Sequence, residues 1–238
     1  MDPLIIQALV KAIELKDAST AAHTWRVVLY TRALAEEAGV DHAMIERLTF
    51  AAALHDMGKI DIPDGVLTKP GPLTDPERAV MRTHADLGHA RLVRMGEGDP
   101  VMLELVRHHH ERPDGRGYPD ALSGASIPAW ARFFSVVDSF DAMTSLRPYR
   151  ADVGPAAAER AIDELRSGSG TAYWPEAVAE FTRLYRSGRL GWVLEYFNDR
   201  CEPPEFDAAA VARVARSAAP ARVIVPSVLP RSAAPTGE

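Results

Sequence analysis

Apolar residues recur with a helical period through almost the whole chain, and this pattern limits the possible folds more than any other feature. The first segment shows it clearly, with apolar side chains at positions 5, 6, 9, 10 and 13. Residues three or four apart lie on one face of an α-helix, so this spacing indicates an amphipathic helix. No run alternates strictly between apolar and polar residues, as a half-buried strand requires. The sequence therefore predicts an all-α fold.

Capping residues indicate where these helices begin and end. Asp41 and Asp99 are expected N-caps, and the residue after Asp99 is a proline, which suits the first helical position. The Thr-Asp-Pro-Glu run at 74–77 is a capping box that predicts a helix from there to about Met95. Prolines at 128, 155 and 175 are expected to begin further helices, and glycines at 39, 168 and 188 to end others.

Two stretches rich in proline and glycine, residues 58–73 and 111–127, are predicted to be loops. The second is long for a compact domain, and such loops are usually functional or disordered. It follows three consecutive histidines and contains Arg112, Asp114, Arg116 and Tyr118. We therefore expect a functional loop.

The 238 residues suit one domain, which we assign to residues 1–200. Residues 201–238 form a C-terminal tail in this interpretation, and we expect disorder from about residue 216 because the segment lacks a clear apolar stripe. We expect no sensor domain before the helical domain, since only about 20 residues precede His23. The sequence therefore predicts a stand-alone domain.

Charge and cysteine content exclude several classes of protein. The formal net charge of −6 argues against a dedicated DNA-binding protein, which usually has a basic excess. A single cysteine excludes an intrachain disulfide and a zinc site built from cysteines. No apolar run approaches the roughly 20 residues of a membrane-spanning helix, and no signal peptide is apparent. We expect a cytoplasmic protein.

Imidazoles and carboxylates stand where helices can project them inward. A carboxylate inside an apolar helix is costly to bury unless it is paired or binds a metal. The residues that a helix could project inward are His55, Asp56, His84, His109, His110 and Asp138. We expect His84 to lie in the middle of its helix, and His109 and His110 to end theirs.

Nitrogen and oxygen ligands without cysteine suit manganese, iron or zinc. Six or more ligands are too many for one tetrahedral zinc ion. They fit two ions that share a carboxylate, an arrangement that can hold a phosphodiester and lower the pKa of a water molecule. The residue types alone therefore predict a binuclear metal site.

Four motifs resemble those of the HD-GYP family, a branch of the HD-domain phosphohydrolases. They are the His-Asp-Met-Gly-Lys-Ile run at 55–60, the Leu-Thr-Lys-Pro-Gly-Pro run that begins at residue 67, the His-His-Glu and Asp-Gly-Arg-Gly-Tyr-Pro runs within 109–119, and the Arg-Pro-Tyr-Arg run at 147–150. The resemblance extends from about residue 17 to 181. A lone His-Asp pair is a weak signal, whereas this ordered set with matching spacing is highly specific.

The resemblance implies an all-helical HD-GYP bundle and hydrolysis of cyclic di-GMP to linear pGpG, with further conversion to GMP left open. It also implies the ligands of two divalent ions, iron or manganese first, with zinc, magnesium and nickel left open. One ion would be held by His23, His55, Asp56 and Asp138. The other would be held by Asp56, His84, His109 and His110, so that Asp56 bridges the two.

The same resemblance assigns catalytic roles to Asp56 and Lys59, with Lys59 facing the scissile phosphate. It assigns binding of the dinucleotide to Lys59 as well, together with Gly117, Tyr118, Arg147 and Arg150. Arginine suits this role because its planar guanidinium binds phosphate or guanine edges in a bidentate manner.

Some family members bind a third metal through a glutamate four residues before the first ligand histidine, and Ser19 occupies that position here. Asp17 could approach the metals only if the backbone between Lys16 and Ala21 is not helical. We therefore predict two metals, and we assign Asp17 to the substrate or to the surroundings of the ligands.

Two alternatives keep the same residues. In the first, the enzyme acts on another cyclic dinucleotide or on a nucleotide. In the second, the chain is a binding module with little turnover, whose Gly-Tyr-Pro loop docks a partner such as a diguanylate cyclase domain. An intact set of seven ligands and a lysine argues against the binding module.

Overall fold

The computed structural model describes residues 1–17, 20–145, 155–197 and 203–218. These residues form twelve α-helices and no β-strand, which confirms the predicted all-α fold. The helices are α1 (Pro3–Lys16), α2 (Thr20–Ala38), α3 (His42–Leu54), α4 (Asp64–Leu67), α5 (Asp75–Arg82), α6 (His84–Arg94), α7 (Pro100–His108), α8 (Ala129–Thr144), α9 (Pro155–Ser167), α10 (Pro175–Arg186), α11 (Gly191–Tyr196) and α12 (Ala208–Ala218).

Side-chain caps fix several helix starts as the sequence predicts. The carboxylate of Asp41 accepts a hydrogen bond from the backbone N–H of Met44 at 2.8 Å, and Asp99 caps α7 in the same way. The capping box at the start of α5 is formed by Thr74 and Glu77. Each cap satisfies a backbone donor that the helix leaves unpaired, and replacing one by alanine typically costs about 1 kcal/mol.

The single helix predicted from residue 74 to Met95 is in fact two, because the chain bends at Thr83. The Thr83 hydroxyl donates to the carbonyl of Val80 at 2.7 Å, and its backbone N–H bonds that same carbonyl at 3.1 Å. This tight turn interrupts the regular hydrogen-bond pattern. His84 therefore begins α6 instead of lying in the middle of a helix, as the sequence analysis expected.

The two predicted loops also contain short helical pieces. Residues 58–73 include most of a 3₁₀ helix, Met57–Asp61, and the one-turn helix α4. Residues 111–127 include a 3₁₀ turn at Gly124–Ser126 and an isolated bridge between Asp114 and Ser123. Proline and glycine exclude long helices but permit such single turns, which is why composition alone predicted loops.

Helix α2 lies at the centre of the fold and contacts α1, α3, α8, α10, α11 and α12. Its Tyr30 packs edge-on against Phe140 of α8 and Phe181 of α10, and all three rings are buried. Burial of one such side chain contributes roughly 1.5–3 kcal/mol. The core therefore fixes α2 and α8, the two helices that carry His23 and Asp138.

Residues 203–218 pack on this same core, although the sequence analysis assigned them to the tail. Phe206 and Val211 are buried, and the indole N–H of Trp25 donates to the carbonyl of Pro204 at 2.9 Å. The predicted domain boundary at residue 200 therefore lies inside the packed unit, and the backbone is helical to Ala218. Residues 219–238, which complete the predicted disordered segment, lie outside the described residues.

Candidate metal centre

Three histidines at helix ends present the same ring nitrogen to one region. The Nδ1 atoms of His55, His84 and His109 lie 2.8, 2.8 and 2.9 Å from the backbone carbonyl three residues earlier in each case. A carbonyl only accepts hydrogen bonds, so each Nδ1 carries the proton and donates. In its neutral form each ring leaves an unprotonated Nε2, which is the form that binds a metal. Burial lowers the pKa of His55, but the neighbouring carboxylates of Asp56 and Asp138 outweigh it, so the net shift of this pKa is upward.

Asp56 lies between these rings. Its Oδ2 is 3.3 Å from Nε2 of His55, and its Oδ1 is 3.4 Å from Nε2 of His84. The two carboxylate oxygens therefore face two different histidines, as a bridging ligand requires. Asp56 comes next after His55, the residue that caps the end of α3, and it is buried.

The remaining ligand candidates complete two groups of donor atoms on either side of Asp56. One group contains His23, His55 and Asp138, and the other contains His84, His109 and His110. A third group, of His55, Asp56 and His109, connects them. All the donor atoms within a group lie within 4.8 Å of one another. The structure thus brings together all seven residues that the resemblance implies as ligands.

Short distances between ring nitrogens show that the donor set fits cations. Nε2 of His84 is 3.3 Å from Nε2 of His109, and Nε2 of His23 is 3.3 Å from Nε2 of His55. His84, His55 and His109 carry their protons on Nδ1, so the facing pair in the second group consists of two lone pairs. Such an arrangement is repulsive alone and becomes favourable when a divalent cation accepts both lone pairs.

Burial keeps several of these imidazoles neutral. It lowers the pKa of His110 to about 3, the pKa of His109 well below its usual range, and the pKa of His84 as well. Burial opposes ionisation of Asp56, but the neighbouring His55 and Lys59 outweigh it and hold the pKa of the Asp56 carboxyl well below its usual value. Neutral imidazoles around a carboxylate are the ligand set of a cationic centre.

Lys59 lies at Asp56 instead of pointing away from the site. Its Nζ is 2.6 Å from Oδ2 of Asp56. Burial lowers the pKa of this ammonium, but the charge and hydrogen bond of Asp56 raise it by more than that. The net shift of the pKa is therefore upward, and Lys59 stays charged. The chain therefore supplies its own cation beside the predicted bridging ligand.

Asp17 follows α1 with an extended backbone, and α2 begins at Thr20, so the helix is interrupted at Asp17. Its charge contributes to the raised pKa of Lys59, which shows that it lies near the site. It does not belong to any of the three donor groups found among the described residues. Ser19 lies outside the described residues.

The Gly-Tyr-Pro loop covers the His84 group. The ring of Tyr118 lies over His110, with centroids 4.7 Å apart and planes inclined by 30°. The loop is held by Glu111, a buried carboxylate that accepts the backbone N–H groups of Asp120 at 2.7 Å and Leu122 at 3.0 Å. Tyr118 is therefore placed at the edge of the predicted metal site.

Gly117 has a packing role that the sequence analysis did not assign. A Cβ at this position would lie 2.5 Å from the backbone nitrogen of Arg112 and 2.7 Å from the carbonyl oxygen of His110. No side chain fits there, so glycine lets the loop fold back onto the end of α7. Its part in substrate binding stays a prediction.

Two further glycines, missed by the sequence analysis, set the distance between Asp56 and His84. A Cβ on Gly58 would overlap the carbonyl oxygen of His84 and lie 2.5 Å from the backbone nitrogen of Gly88. The turn after Asp56 thus packs backbone to backbone against α6. The signals in the sequence that could have indicated this close packing were the glycine at position 58 and the glycine at position 88 on a helix face.

Arg26 and Asp141 are buried next to His23, and neither was predicted as a site residue. Nδ1 of His23 lies 2.8 Å from Oδ2 of Asp141, and Nε of Arg26 donates to Oδ1 of Asp141 at 2.5 Å. Although burial opposes it, Arg26 holds the pKa of the Asp141 carboxyl below its usual range. Arg147 and Arg150, the predicted substrate ligands, lie outside the described residues.

Comparison with protein families identifies the fold that carries this centre. A family model described as HD domain matches residues 7–177, which is more than half of the chain. The chain belongs to the HD domain family. The matched residues of this HD domain include all seven candidate ligands and Lys59.

Curated relatives of this HD domain are named as phosphodiesterases of cyclic dinucleotides, which confirms the resemblance to the HD-GYP family. A cyclic di-GMP phosphodiesterase of Thermotoga maritima is 40% identical over 183 residues, 76% of this chain and 48% of the relative. A cyclic di-GMP phosphodiesterase response regulator of Xanthomonas campestris is 42% identical over 61% of this chain and 39% of its own length. A 3'3'-cGAMP-specific phosphodiesterase of Vibrio cholerae is 35% identical over 73% of this chain and 33% of its own length. The chain thus spans about half or less of the length of these relatives.

Solved structures support the HD fold. A HDG"Y"P protein from Bdellovibrio bacteriovorus aligns with a TM-score of 0.57 and 19% identity over 71% of this chain and 53% of its own. A cyclic GMP-AMP specific phosphodiesterase of Vibrio cholerae aligns with a TM-score of 0.58 and 14% identity over 90% of this chain and 58% of its own. Within the described part of the HD domain protein, no helix is long and apolar enough to cross a membrane.

Proposed function

We propose that this HD domain hydrolyses cyclic di-GMP to linear pGpG. The observation that carries the proposal is the pair of donor groups on either side of Asp56, with Lys59 and Tyr118 beside them. Relatives with 40% and 42% identity are named for this activity, which supports cyclic di-GMP as the substrate. Separation of linear from mononucleotide products measures whether pGpG is converted further to GMP.

Two divalent ions are part of the proposal, with iron or manganese as the first expectation and zinc, magnesium or nickel as the alternatives. His23, His55, Asp56 and Asp138 would hold one ion, and Asp56, His84, His109 and His110 would hold the other. When bound, such ions polarise a phosphoryl oxygen and generate a nucleophile from water at neutral pH. The neutral imidazoles and the low pKa of Asp56 support this ligand set.

Lys59 carries the charge-stabilising role in the chemical step. Phosphodiester cleavage increases negative charge on the phosphoryl oxygens, and a fixed cation stabilises that charge most where water is excluded. Lys59 is held 2.6 Å from Asp56, so its ammonium already stands at the predicted bridging ligand. Asp56 thus orients a cation as well as supplying ligand oxygens.

We assign substrate binding to Tyr118, Gly117, Arg147 and Arg150. Asp17, which lies near Lys59, is a further candidate for substrate binding. The Tyr118 ring offers an apolar face to a base or ribose at the edge of the His84 group. Gly117 keeps this part of the loop free of a side chain. The arginines follow α8, which carries Asp138, and their guanidinium groups suit phosphate and guanine.

A mixed cyclic dinucleotide is the second candidate substrate. The observation that favours it is the naming of relatives with 32–35% identity as 3'3'-cGAMP-specific phosphodiesterases. Both substrates share the cyclic backbone and differ in one base, so the metal centre alone does not distinguish them. Competition between the two substrates measures the preference.

The remaining parts of the proposal concern surroundings and partners. We place the protein in the cytoplasm, consistent with its single cysteine. The loop 111–127 is the candidate surface for a diguanylate cyclase domain. In the binding-module alternative, this docking would persist while turnover is absent.

Anaerobic purification, metal analysis and incubation with each cyclic dinucleotide test the function. We expect linear pGpG from cyclic di-GMP with the metal-loaded protein, and no product after chelation. Asp61→Asn is a matched control for Asp56→Asn. Asp56 precedes the 3₁₀ helix Met57–Asp61 and Asp61 ends it, but Asp61 pairs with Arg91 outside the donor groups. Absence of product from every cyclic dinucleotide, with both metals bound, would favour the binding module.

A further inference from the structure

A buried network of side chains surrounds the far nitrogen of His23. The Asp141 carboxylate accepts from Nδ1 of His23 at 2.8 Å, from Nη2 of Arg26 at 3.0 Å and from the Ser145 hydroxyl at 3.0 Å. Asp141 is 0% exposed and Arg26 is 1% exposed. A charged pair this deep is maintained only with close geometry, because both groups have lost their hydration. The network therefore has few alternative arrangements.

Arg26 extends the network to two other parts of the fold. Its Nη2 donates to the Ser145 hydroxyl at 2.7 Å, and its Nη1 donates to the carbonyl of Phe197 at 2.7 Å. Ser145 follows α8 directly, and Phe197 follows α11. Phe197 lies beyond residue 177, where the match to the HD domain ends. The network thus joins the predicted ligand to a segment outside that match.

We infer that Asp141 and Arg26 are positioning residues for His23, on the basis of the proposed metal centre. Asp141 holds the proton of His23 on Nδ1 and turns Nε2 toward His55 and Asp138. Arg26 fixes the orientation of the Asp141 carboxylate and connects it to Phe197. His55, His84 and His109 use backbone carbonyls for the same purpose, so a change in the network affects the His23 group selectively.

Metal titration of the metal-free 238-residue chain tests this inference with Mn²⁺ as the probe. We expect Asp141→Asn and Arg26→Gln to weaken one of two metal sites by about 10- to 100-fold, the usual effect of losing a partner of a ligand histidine. The other site should keep its dissociation constant. Arg32→Gln is the matched control, because Arg32 lies on the same helix and pairs with Glu36 outside the network.

Two further variants keep the test decisive if Asp141→Asn or Arg26→Gln fails to fold. Ser145→Ala removes one hydroxyl and should weaken the same site by a smaller factor, and Arg26→Lys should recover part of the affinity lost in Arg26→Gln. Wild-type constants in Ser145→Ala and Arg26→Lys, or equal weakening of both sites, would overturn the inference. A wild-type chain that binds no metal would instead reject the proposed function.

A second inference starts from an exposed arginine, Arg82, at the end of α5. Four other arginines of this half of the chain pair with carboxylates: Arg78 with Asp75, Arg91 with Asp61, Arg107 with Asp120, and Arg112 with Asp114. The guanidinium of Arg82 instead lies over the Tyr118 ring, 5.2 Å from its centroid. Among the residues that the structure describes, no carboxylate pairs with it.

Arg82 stands one ring away from the His84 group. The guanidinium of Arg82 and the ring of His110 both contact the Tyr118 ring, and that ring is 6.3 Å from the ring of His84. A cation beside a centre that binds divalent ions is unfavourable unless an anion is bound between them. An exposed guanidinium with no carboxylate also presents a complete fork of donors to such an anion.

We propose that Arg82 binds the phosphate of the cyclic dinucleotide that is not being cleaved. This assignment deepens the proposed function and rests on it. A cyclic dinucleotide carries two phosphates, and the metal centre holds the scissile one. Arg82 contacts the same Tyr118 ring as His110 and belongs to none of the donor groups, so it offers the second phosphate a cation next to the metal centre.

Steady-state kinetics with two substrates test this role. Arg82→Gln should raise KM for cyclic di-GMP by about 10-fold or more, as expected for loss of a charge-assisted hydrogen bond, with kcat and metal content little changed. Arg82→Lys should recover part of the effect. Arg78→Gln, one turn earlier on α5, is the matched control because Arg78 pairs with Asp75.

The one-phosphate ester bis(p-nitrophenyl) phosphate separates the two phosphates. Its KM should be the same for wild type and Arg82→Gln, because it has no second phosphate. An equal rise in KM for both substrates, or no rise for cyclic di-GMP, would overturn the assignment. Failure of wild type to cleave cyclic di-GMP would reject the proposed function instead.

Discussion

The two halves of the candidate metal centre are held in place by different means. In the His84 half, His84 and His109 lie at helix ends and donate to backbone carbonyls three residues earlier in their own chain segments. In the other half, His23 lies inside α2 and bonds Asp141, which is 118 residues away. In the first half these two rings are therefore fixed by local backbone, whereas the second half combines a local contact at His55 with a tertiary contact at His23.

This difference explains how each half responds to change. A backbone carbonyl cannot be removed by a single substitution, so the His84 half is sensitive mainly to the packing of its helices. The His23 half depends on Asp141 and Arg26, whose side chains can be replaced. Comparing variants of the two halves tests whether they act as separate sites around a shared Asp56.

The largest effect should come from Asp56, because it faces both halves. Asp56→Ala should remove the shared ligand, release both metals and lower turnover of cyclic di-GMP by about three orders of magnitude or more. That loss corresponds to a barrier increase above about 4 kcal/mol. Metal analysis and single-turnover rates measure it. Retention of both metals with a rate within tenfold of wild type would contradict the shared-ligand assignment.

Substituting one histidine from each half should separate the sites. His84→Ala and His23→Ala should each lower metal content toward one ion per chain. The affected site should weaken by about 100-fold or more, at or above the effect expected for a residue that only supports a ligand. Titration of the metal-free variants checks this, and simultaneous loss of both ions in both variants would show a single cooperative site.

Gly58→Ala perturbs the His84 half through its backbone. The added Cβ would overlap the carbonyl oxygen of His84, and such overpacking costs about 1–3 kcal/mol. Thermal unfolding should show a Tm lower by about 2–4 °C per kcal/mol for a chain of this size. Gly65→Ala is the control, because no atom lies within 4 Å of its added Cβ. An unchanged Tm in Gly58→Ala would show that the turn and α6 can separate freely.

Arg147→Ala and Arg150→Ala should leave both halves intact and give the smallest effect on metal content. Each should raise KM for cyclic di-GMP, because the lost contacts are common to ground and transition states. Metal analysis alongside the kinetics distinguishes this outcome from damage to the centre. Loss of metal from either variant would assign these residues to the support of the ligands.

The part of the site that the sequence predicts differs between residues in short motifs and residues that meet only after folding. The His-Asp and His-His pairs lie in short runs with a recognisable spacing, so His55, Asp56, His109 and His110 were predicted with their neighbours. The support of His23 was not, because Arg26, Asp141 and Phe197 meet only after α2, α8 and α11 have packed. The bend at Thr83 was also missed, since the helical period of apolar residues continues across it.

The C-terminal segment gives a similar lesson. Alanine-rich composition around residues 203–218 suggested a tail, but Phe206 and Val211 are enough to pack it on Trp25 and the core. Two or three large apolar side chains do not form a visible stripe in a short window. Their burial depends on a surface that α2 offers only in the folded chain.

Quantitative metal analysis of the anaerobically purified 238-residue chain tests the central claim most directly. Two donor groups on either side of Asp56 predict two divalent ions per chain. The same value should be found in Asp17→Ala, because Asp17 belongs to neither group. A reproducible value near three that falls to two in Asp17→Ala, or a value of one in the fully loaded wild type, would contradict the two-metal centre.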